Sequence, residues 1–422
     1  MNYLFFIALS ISFTLYAEES VLEIKASENQ ARQAQKKVML LLGVIGDQEK
    51  KMDSFLKKLT HNISYSGQLA ITQKAFTVPK TKEEVTDLFG AGYPLVLFLE
   101  FFPQENSVEW RLYDSMEAEM VKGKKYGRTG ALQPRWAHGI SCDIWPELSQ
   151  DPGIFLTKIA YVKQLHSNRK YRSQICIADF DGSNEKVLLD MPTIYVQLSF
   201  HPDIKNPRLL ASEFTPQGIR LLMIDFKGNK KVIFGNNRSI VGASLSSDAE
   251  KVVYTESGDI WKYNHTAHTQ QKRHELIIQN EEKCSCATLC PDDSILYCSN
   301  YNIYRYDSKT KKNSCLLENG LAPAYSNASG KIAFSRRIKG IMQLLLYDNK
   351  TLKTEQLTYD SGNKSDSCFS PCGNYLLYCY EKNNKKNIAN FCLITKKQQI
   401  LTSSKHAFSY PAWSQSYKDL EG

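Results

Sequence analysis

The sequence predicts a small N-terminal α/β domain followed by a six-bladed β-propeller of WD40-like repeats, closed by the C-terminal strand. Three observations predict it. A turn-bearing anchor recurs at His201, Ser246, Cys290, Ser326, Ser370 and Ser414, with gaps of 45, 44, 36, 44 and 44 residues. The spacing is that of propeller blades, which repeat about every 40–45 residues. The chain also ends on a strand-like stub, "YPAWSQS" (410–416), with no partner nearby in sequence.

The anchors read "LSFHPD", "ASLSSD", "ATLCPD", "PAYSNASG", "SCFSPCG" and "PAWSQS". Asp, Asn and Gly after the first five anchors supply the side-chain hydrogen bonds and positive φ angles of tight turns. An apolar strand follows each turn: "LLASEF", "KVVYTE", "SILYCSN", "KIAFSR", "YLLYCYEK". A further strand carries Asp or Asn near its end, as in "LLMIDF", "DIWKYN", "NIYRYD" and "LLLYDN", and a last strand returns to the next anchor. The 36-residue unit is expected to be short because it has lost a loop at Asn300 to Asn302.

Five intervals make five blades. Three orphan strands precede the first anchor, "KIAYVKQ", "SQICIADFDG" and "EKVLLD", and one orphan follows the last. Together they make a sixth blade. Closing the ring removes an open sheet edge that would template aggregation.

Residues 36–156 read as a separate α/β domain. "KKVMLLLGVIG" is a buried strand, and Met52, Phe55, Leu56 and Leu59 lie on one helical face. "GQLAITQ" is a strand. Thr81 and Glu84 form a capping box for "TKEEVTDLFGAG". Three strands follow, "YPLVLFLEFF", "SVEWRLYDS" and "MVKGKKYGR", then a closing helix in "PRWAHGISCDIWPELSQ". Asp151-Pro152-Gly153 turns the chain into the propeller (157–422).

The first residues, "MNYLFFIALSISFTLYA", form an apolar run ending in Ala17, which predicts a cleaved secretory signal over 1–17 and a mature arm over 18–35. A retained anchor is the alternative. No other stretch of about 20 apolar residues occurs, so the mature chain is expected to have no direct membrane span.

Composition fits a folded protein, with 42% hydrophobic and 23% charged residues. The formal charge of +9 comes without a block of like charges, which argues for a solvated surface and no nucleic-acid partner. The 11 cysteines leave at least one thiol unpaired. Cys284, Cys286 and Cys290 have no usual zinc spacing, and most cysteines occupy strand positions as small buried hydrophobes.

Catalytic and metal readings find little support. There is no Gly-x-Ser-x-Gly elbow, His-Glu-x-x-His or Walker motif. Gly123, Gly127 and Gly130 with Lys124, Lys125 and Arg128 fit no phosphate cradle and read as a solvent hairpin. His265, His268 and His274 read as surface histidines. Asp203, Asp248 and Asp292 could offer oxygens to a cation, but turn formation explains them better.

The order of these parts resembles the TolB family, the periplasmic subunits of the Tol–Pal envelope system. The resemblance spans the mature chain. It rests on the six PD40-type anchors, "IAYV" at Ile159–Val162, "D-x-D-G" at Asp179–Gly182, the closing "PAWS", and "RWAHGISCDIWPEL". The anchor Trp is kept only at Trp413, and three anchor turns lack the Gly. The resemblance implies a non-catalytic hub without cofactors, expected as a monomer. Its implied partners are the peptidoglycan-associated lipoprotein, Pal, over the channel and the C-terminal domain of TolA at the mature N-terminus. Other outer-membrane lipoproteins are admitted as partners. Mapping the Pal site gives Ser239, Ile240, Gly242, Ser285 and Cys286. The TolA site maps to the arm, at Glu19, Val21, Leu22, Glu23 and Ile24, whose alternation suits an added edge strand. A propeller binding a sugar or cation in its channel is the alternative function.

Overall fold

The computed structural model describes residues 38–45, 53–75, 81–102, 104–127, 134–149, 151–165, 172–235, 240–264, 273–279, 284–403 and 405–417. The chain divides into units at Met1–Phe155 and Leu156–Gly422.

The first unit is built on a five-stranded mixed sheet. β1 (Val38–Ile45) pairs in parallel with β2 (Leu69–Ala75) on one side and β3 (Leu95–Phe102) on the other. β4 (Ser107–Asp114) and β5 (Glu119–Gly127) extend the sheet antiparallel from β3. β1 and β3 sit between neighbours, so they are near-continuous apolar runs. Helix α1 (Asp53–Ser64) buries Phe55, Leu56, Leu59 and Ile63 at helical spacing. Met52 lies outside the described residues. Helix α2 (Lys82–Gly90) starts where Thr81 Oγ1 accepts the Glu84 amide at 3.3 Å, the first half of the expected capping box. Helix α3 (Pro134–Ser149) carries Pro146 in its last turn. Asp151 Oδ1 then accepts the Gly153 amide at 2.7 Å, and Gly153 holds a φ of 76° in that turn.

The second unit contains six four-stranded antiparallel sheets. Blades 1 to 5 span residues 194–234, 240–278, 285–317, 321–356 and 363–400. Blade 6 takes its inner strand from Ala407–Trp413 and its other three from Lys158–Leu165, Arg172–Asp179 and Lys186–Met191, as the orphan strands predict. Core clusters lie between successive blades. One joins Ala160, Val162 and Ile175 of blade 6 to Leu209, Ala211 and Leu222 of blade 1.

One backbone hydrogen bond recurs in every blade. The anchor amide donates to the carbonyl that opens the second strand: His201 to Arg208, Ser246 to Lys251, Cys290 to Ser294, Ser326 to Lys331 and Ser370 to Tyr375, each at 2.9 Å. In blade 6 the same bond links Ser414 to Lys158 at 2.9 Å. The chain ends therefore repeat, across the whole propeller, a contact that is local elsewhere.

The short unit needs a different explanation from the one its sequence suggests. The two-residue turn at Asn300-Tyr301 has counterparts at Ser257-Gly258, Lys339-Gly340 and Asn383-Asn384, all with positive φ. No loop is lost there. Against blade 4, blade 3 has shorter middle strands, Ile295–Ser299 and Asn302–Asp307 rather than Lys331–Ile338 and Ile341–Asp348; against blade 2, whose middle strands are of similar length, it has four residues rather than nine between its third and fourth strands.

Candidate functional site

The inner strands of the six blades surround the propeller axis, and each breaks its ladder at one place. The register shift admits one extra residue in every inner strand. At each shift one residue takes positive φ: Gln197 (46°), Gly242 (76°), Cys286 (54°), Ala322 (49°), Asp366 (52°) and Tyr410 (52°). Each stands four positions before its anchor. A β-bulge bends its strand and re-aims the side chain, and bulges concentrate at functional sites. The left-handed conformation is uncommon for non-glycine residues, and local backbone strain gathers at ligand sites.

The bulge residues meet around the axis. A Cβ on Gly242 would stand 3.3 Å from Gln197 Oε1 and 3.5 Å from the Cys286 amide, so blades 1, 2 and 3 touch here. The Ala322 backbone of blade 4 acts on the Cys286 thiol. The Asp366 carboxylate acts on both Tyr410 and Cys286. Burial and that carboxylate push the Tyr410 phenol up to about 12, so it stays a neutral donor at physiological pH.

The ring has unused polar capacity. Gln197 Oε1, Ser367 Oγ and Ser409 Oγ are buried without a hydrogen-bond partner among the described residues. Buried polar atoms normally find partners, so unsatisfied ones at a channel wall point to a ligand or partner group. At the other end of the inner strands, a cavity of about 110 Å³ is lined by Phe200, Leu245, Leu289, Trp413, His201 and Ser246. The residue before the anchor thus lines this cavity in blades 1, 2, 3 and 6, as Phe200, Leu245, Leu289 and Trp413.

The mapped Pal-site residues fall at this ring in part. Gly242 and Cys286 are bulge residues, and Cys286 is half-buried. Ser285, beside Cys286, is exposed. Ile240 lies on the same inner strand, but its side chain is fully buried in the core between blades 1 and 2. Ser239 lies outside the described residues, as do the arm residues Glu19, Val21, Leu22, Glu23 and Ile24. Sequence reasoning missed Gln197, Ala322, Asp366 and Tyr410. Their only shared signal is the fixed offset from the anchor.

The other candidates resolve into structural roles. Asp203 and Asp248 accept the amides of Lys205 (3.1 Å) and Glu250 (2.9 Å). Asp292 accepts the Ser294 amide at 3.1 Å and pairs with Arg305 at 2.5 Å. These carboxylates build the turns, as expected. On the exposed strand β5, Lys124 pairs with Asp143 and Lys125 with Glu105. Arg128, Gly130, His265 and His268 lie outside the described residues. His274 is not a surface histidine. It is half-buried among Phe234, Tyr254 and Tyr263, and its Nδ1 lies 2.8 Å from the Tyr254 hydroxyl. Cys284 packs in a different cluster from Cys286 and Cys290. Among the described residues no three His, Cys, Asp or Glu side chains group as a metal site. No helix among them is long and apolar enough to cross a membrane.

Known proteins are similar to this chain. The TolB beta propeller domain matches residues 145–417. The Tol-Pal system protein TolB of Aromatoleum aromaticum is 29% identical over 164 residues, which cover 37% of this chain and 34% of the relative. That of Histophilus somni is 25% identical over 193 residues, covering 44% and 39%. The chain thus spans little more than a third of the length of these curated relatives. The crystal structure of TolB from Acinetobacter baumannii superposes with a TM-score of 0.76 at 20% identity, covering 90% of this chain and 97% of that one. That likeness extends the shared fold over both units. With the family's propeller domain matched over well more than half of its length, the chain belongs to the TolB family.

Proposed function

We propose that this chain is a non-catalytic, periplasmic protein–protein hub of a Tol–Pal system. Its propeller channel receives the peptidoglycan-associated lipoprotein, and its N-terminal arm engages the C-terminal domain of TolA. The hub links the inner-membrane TolA complex to the outer membrane and supports envelope integrity and constriction at division. The observation that carries this reading is the bulge ring. Six inner strands present re-aimed residues around one axis, and three of them carry unsatisfied polar atoms, where an inserted partner loop can be surrounded. Gly242 and Cys286 contribute to the ring, Ser285 stands beside it, and Ile240 holds its strand in place from the core. The arm, Glu19 to Ile24, would add a strand to TolA.

Calorimetric titration of the mature chain with the soluble lipoprotein domain tests the proposal. Ser285→Arg places a long cation at an exposed position beside the ring. Binding that the variant abolishes supports the reading. Unchanged binding moves the site elsewhere, and no binding removes the partner. The unpartnered Gln197 Oε1 favours a second reading, a small polar ligand in the channel. That reading predicts no lipoprotein binding.

A further inference from the structure

The second strand of each blade runs beneath the bulge, and its residue there is small. Ladder pairing places Ser212, Thr255, Cys298, Ser335, Cys379 and Val162 opposite the residue that precedes the bulge in blades 1 to 6. All six are buried. In blade 3 the bulge residue is also a cysteine. Cys286 and Cys298 thus occupy the two facing slots of one bulge, and the two thiols influence each other's ionisation. Both pack in the same cluster between blades 3 and 4. No other blade has cysteines in both slots.

We propose that Cys286 and Cys298 are a redox modification site, a dithiol in the channel wall that closes to a disulfide by exchange with an external disulfide. The co-reactant is a low-molecular-weight disulfide or the exchanging disulfide of an oxidoreductase. Cys286, as thiolate, attacks one sulfur of that disulfide, forms a mixed disulfide and expels one thiolate. Cys298 then gives up its proton and attacks Cys286 Sγ, and the second thiolate leaves. The cysteines lose two electrons and two protons, and the external disulfide is reduced to two thiols.

Three features suit this chemistry. Cys286 is half-buried at the channel, whereas Cys298 is buried behind it, so an external reagent meets Cys286 first. The Cys298 thiol holds the Cys286 pKa below that of an ordinary thiol, against burial and the Asp366 charge. The same interaction, with burial, raises Cys298. The attacking thiolate is therefore the accessible sulfur, and the buried one resolves. Cysteines that face each other across adjacent strands and pack in one cluster also stand in the arrangement a cross-strand disulfide uses.

The repeat supplies conservative variants. Cys298→Ser places at blade 3 the residue that blades 1 and 4 carry at Ser212 and Ser335. Cys286→Ala places there the residue of blade 4, Ala322. The full chain, folded in native buffer, is incubated with oxidised glutathione, free thiols are trapped by alkylation, and peptides are mapped by mass spectrometry. The expected result is a Cys286–Cys298 cross-linked peptide, two hydrogens lighter than the reduced pair and reversed by dithiothreitol. In Cys298→Ser, Cys286 instead keeps a glutathione adduct, and in Cys286→Ala, Cys298 is alkylated only after unfolding. The proposal is overturned if wild-type Cys286 retains glutathione without cross-linking, or if both thiols stay free. It also fails if Cys298 links to Cys284, or if the cross-link forms only in denaturant.

Discussion

Trp413→Ala tests ring closure where the structure is most specific. Trp413 is 8% exposed and ends the inner strand of blade 6. Its indole Nε1 donates to Thr157 Oγ1 at 2.8 Å, between residues 256 positions apart, and its ring lies 6.2 Å from that of Tyr375 in blade 5. Truncating a buried Trp to Ala costs about 3–5 kcal/mol. The indole hydrogen bond accounts for about 1 kcal/mol of that net loss. A loss of about 4 kcal/mol is a large share of the roughly 5–15 kcal/mol that holds a typical domain folded. Because the contacts join the two ends of the propeller, the loss is expected to open blade 6 before the others. The assay is urea unfolding followed by far-UV circular dichroism, with Trp413→Phe as the variant that keeps an aromatic ring without the donor. Trp413→Ala should lower stability by about 4 kcal/mol and Trp413→Phe by far less. A loss below about 1 kcal/mol for Trp413→Ala would refute closure as a major source of stability.

Two buried charges make further predictions. Glu213, 3% exposed, receives Arg220 Nε at 2.5 Å and Lys230 Nζ at 3.0 Å. Burial pushes its carboxyl up, but those hydrogen bonds and charges outweigh burial and leave it below its usual value of 4.5. The ionised form is thus favoured in the fold. The stability it contributes is present above pH 4.5 and is lost as pH falls through the lower folded value. Glu213→Gln should lower the melting temperature at pH 7 and flatten its decline in acid, and an unchanged acid profile would count against the assignment. Lys364, fully buried, gives its ammonium to Gln343 Oε1 (3.0 Å), Asp360 Oδ1 (2.8 Å) and the carbonyls of Asp360 (3.1 Å) and Gly362 (2.6 Å). Lys364→Met keeps the apolar stem and removes the donors, so it should cost about 2 kcal/mol in chemical denaturation, with Asp360 partly exposed and able to rehydrate. A neutral or stabilising result would show that the network carries no net stability.

The propeller was legible in the sequence because its anchor is local turn chemistry repeated at a nearly fixed period. Counting orphan strands then required blade 6 to close across the chain ends. The bulge ring was not legible from residue types, since Gln197, Gly242, Cys286, Ala322, Asp366 and Tyr410 share no chemistry. Their common property is a backbone conformation imposed by register, which side-chain patterning does not report. For the same reason the Cys286–Cys298 contact was hidden, because the extra residue brings the bulged cysteine onto a thiol that simple strand alternation would not pair with it. Ile240 shows the opposite case. The family mapping places it with Gly242 at the partner site, but its side chain packs in the core between blades 1 and 2, and the bulge at Gly242 breaks the alternation that would otherwise put both residues on one face. The short third blade misled because its shortfall lies in strand lengths against blade 4 and in the connection after the third strand against blade 2, not in the turn at Asn300-Tyr301.

Partner binding is proposed to take place at the bulge ring. Hydrogen–deuterium exchange of the mature chain, with and without the soluble lipoprotein domain, tests it most directly. The account predicts new protection in peptides covering 194–198, 240–245, 285–289, 321–325, 363–369 and 407–413, with the outer strands unchanged. Protection confined to outer strands or to the first unit, with the inner strands unaffected, would contradict it.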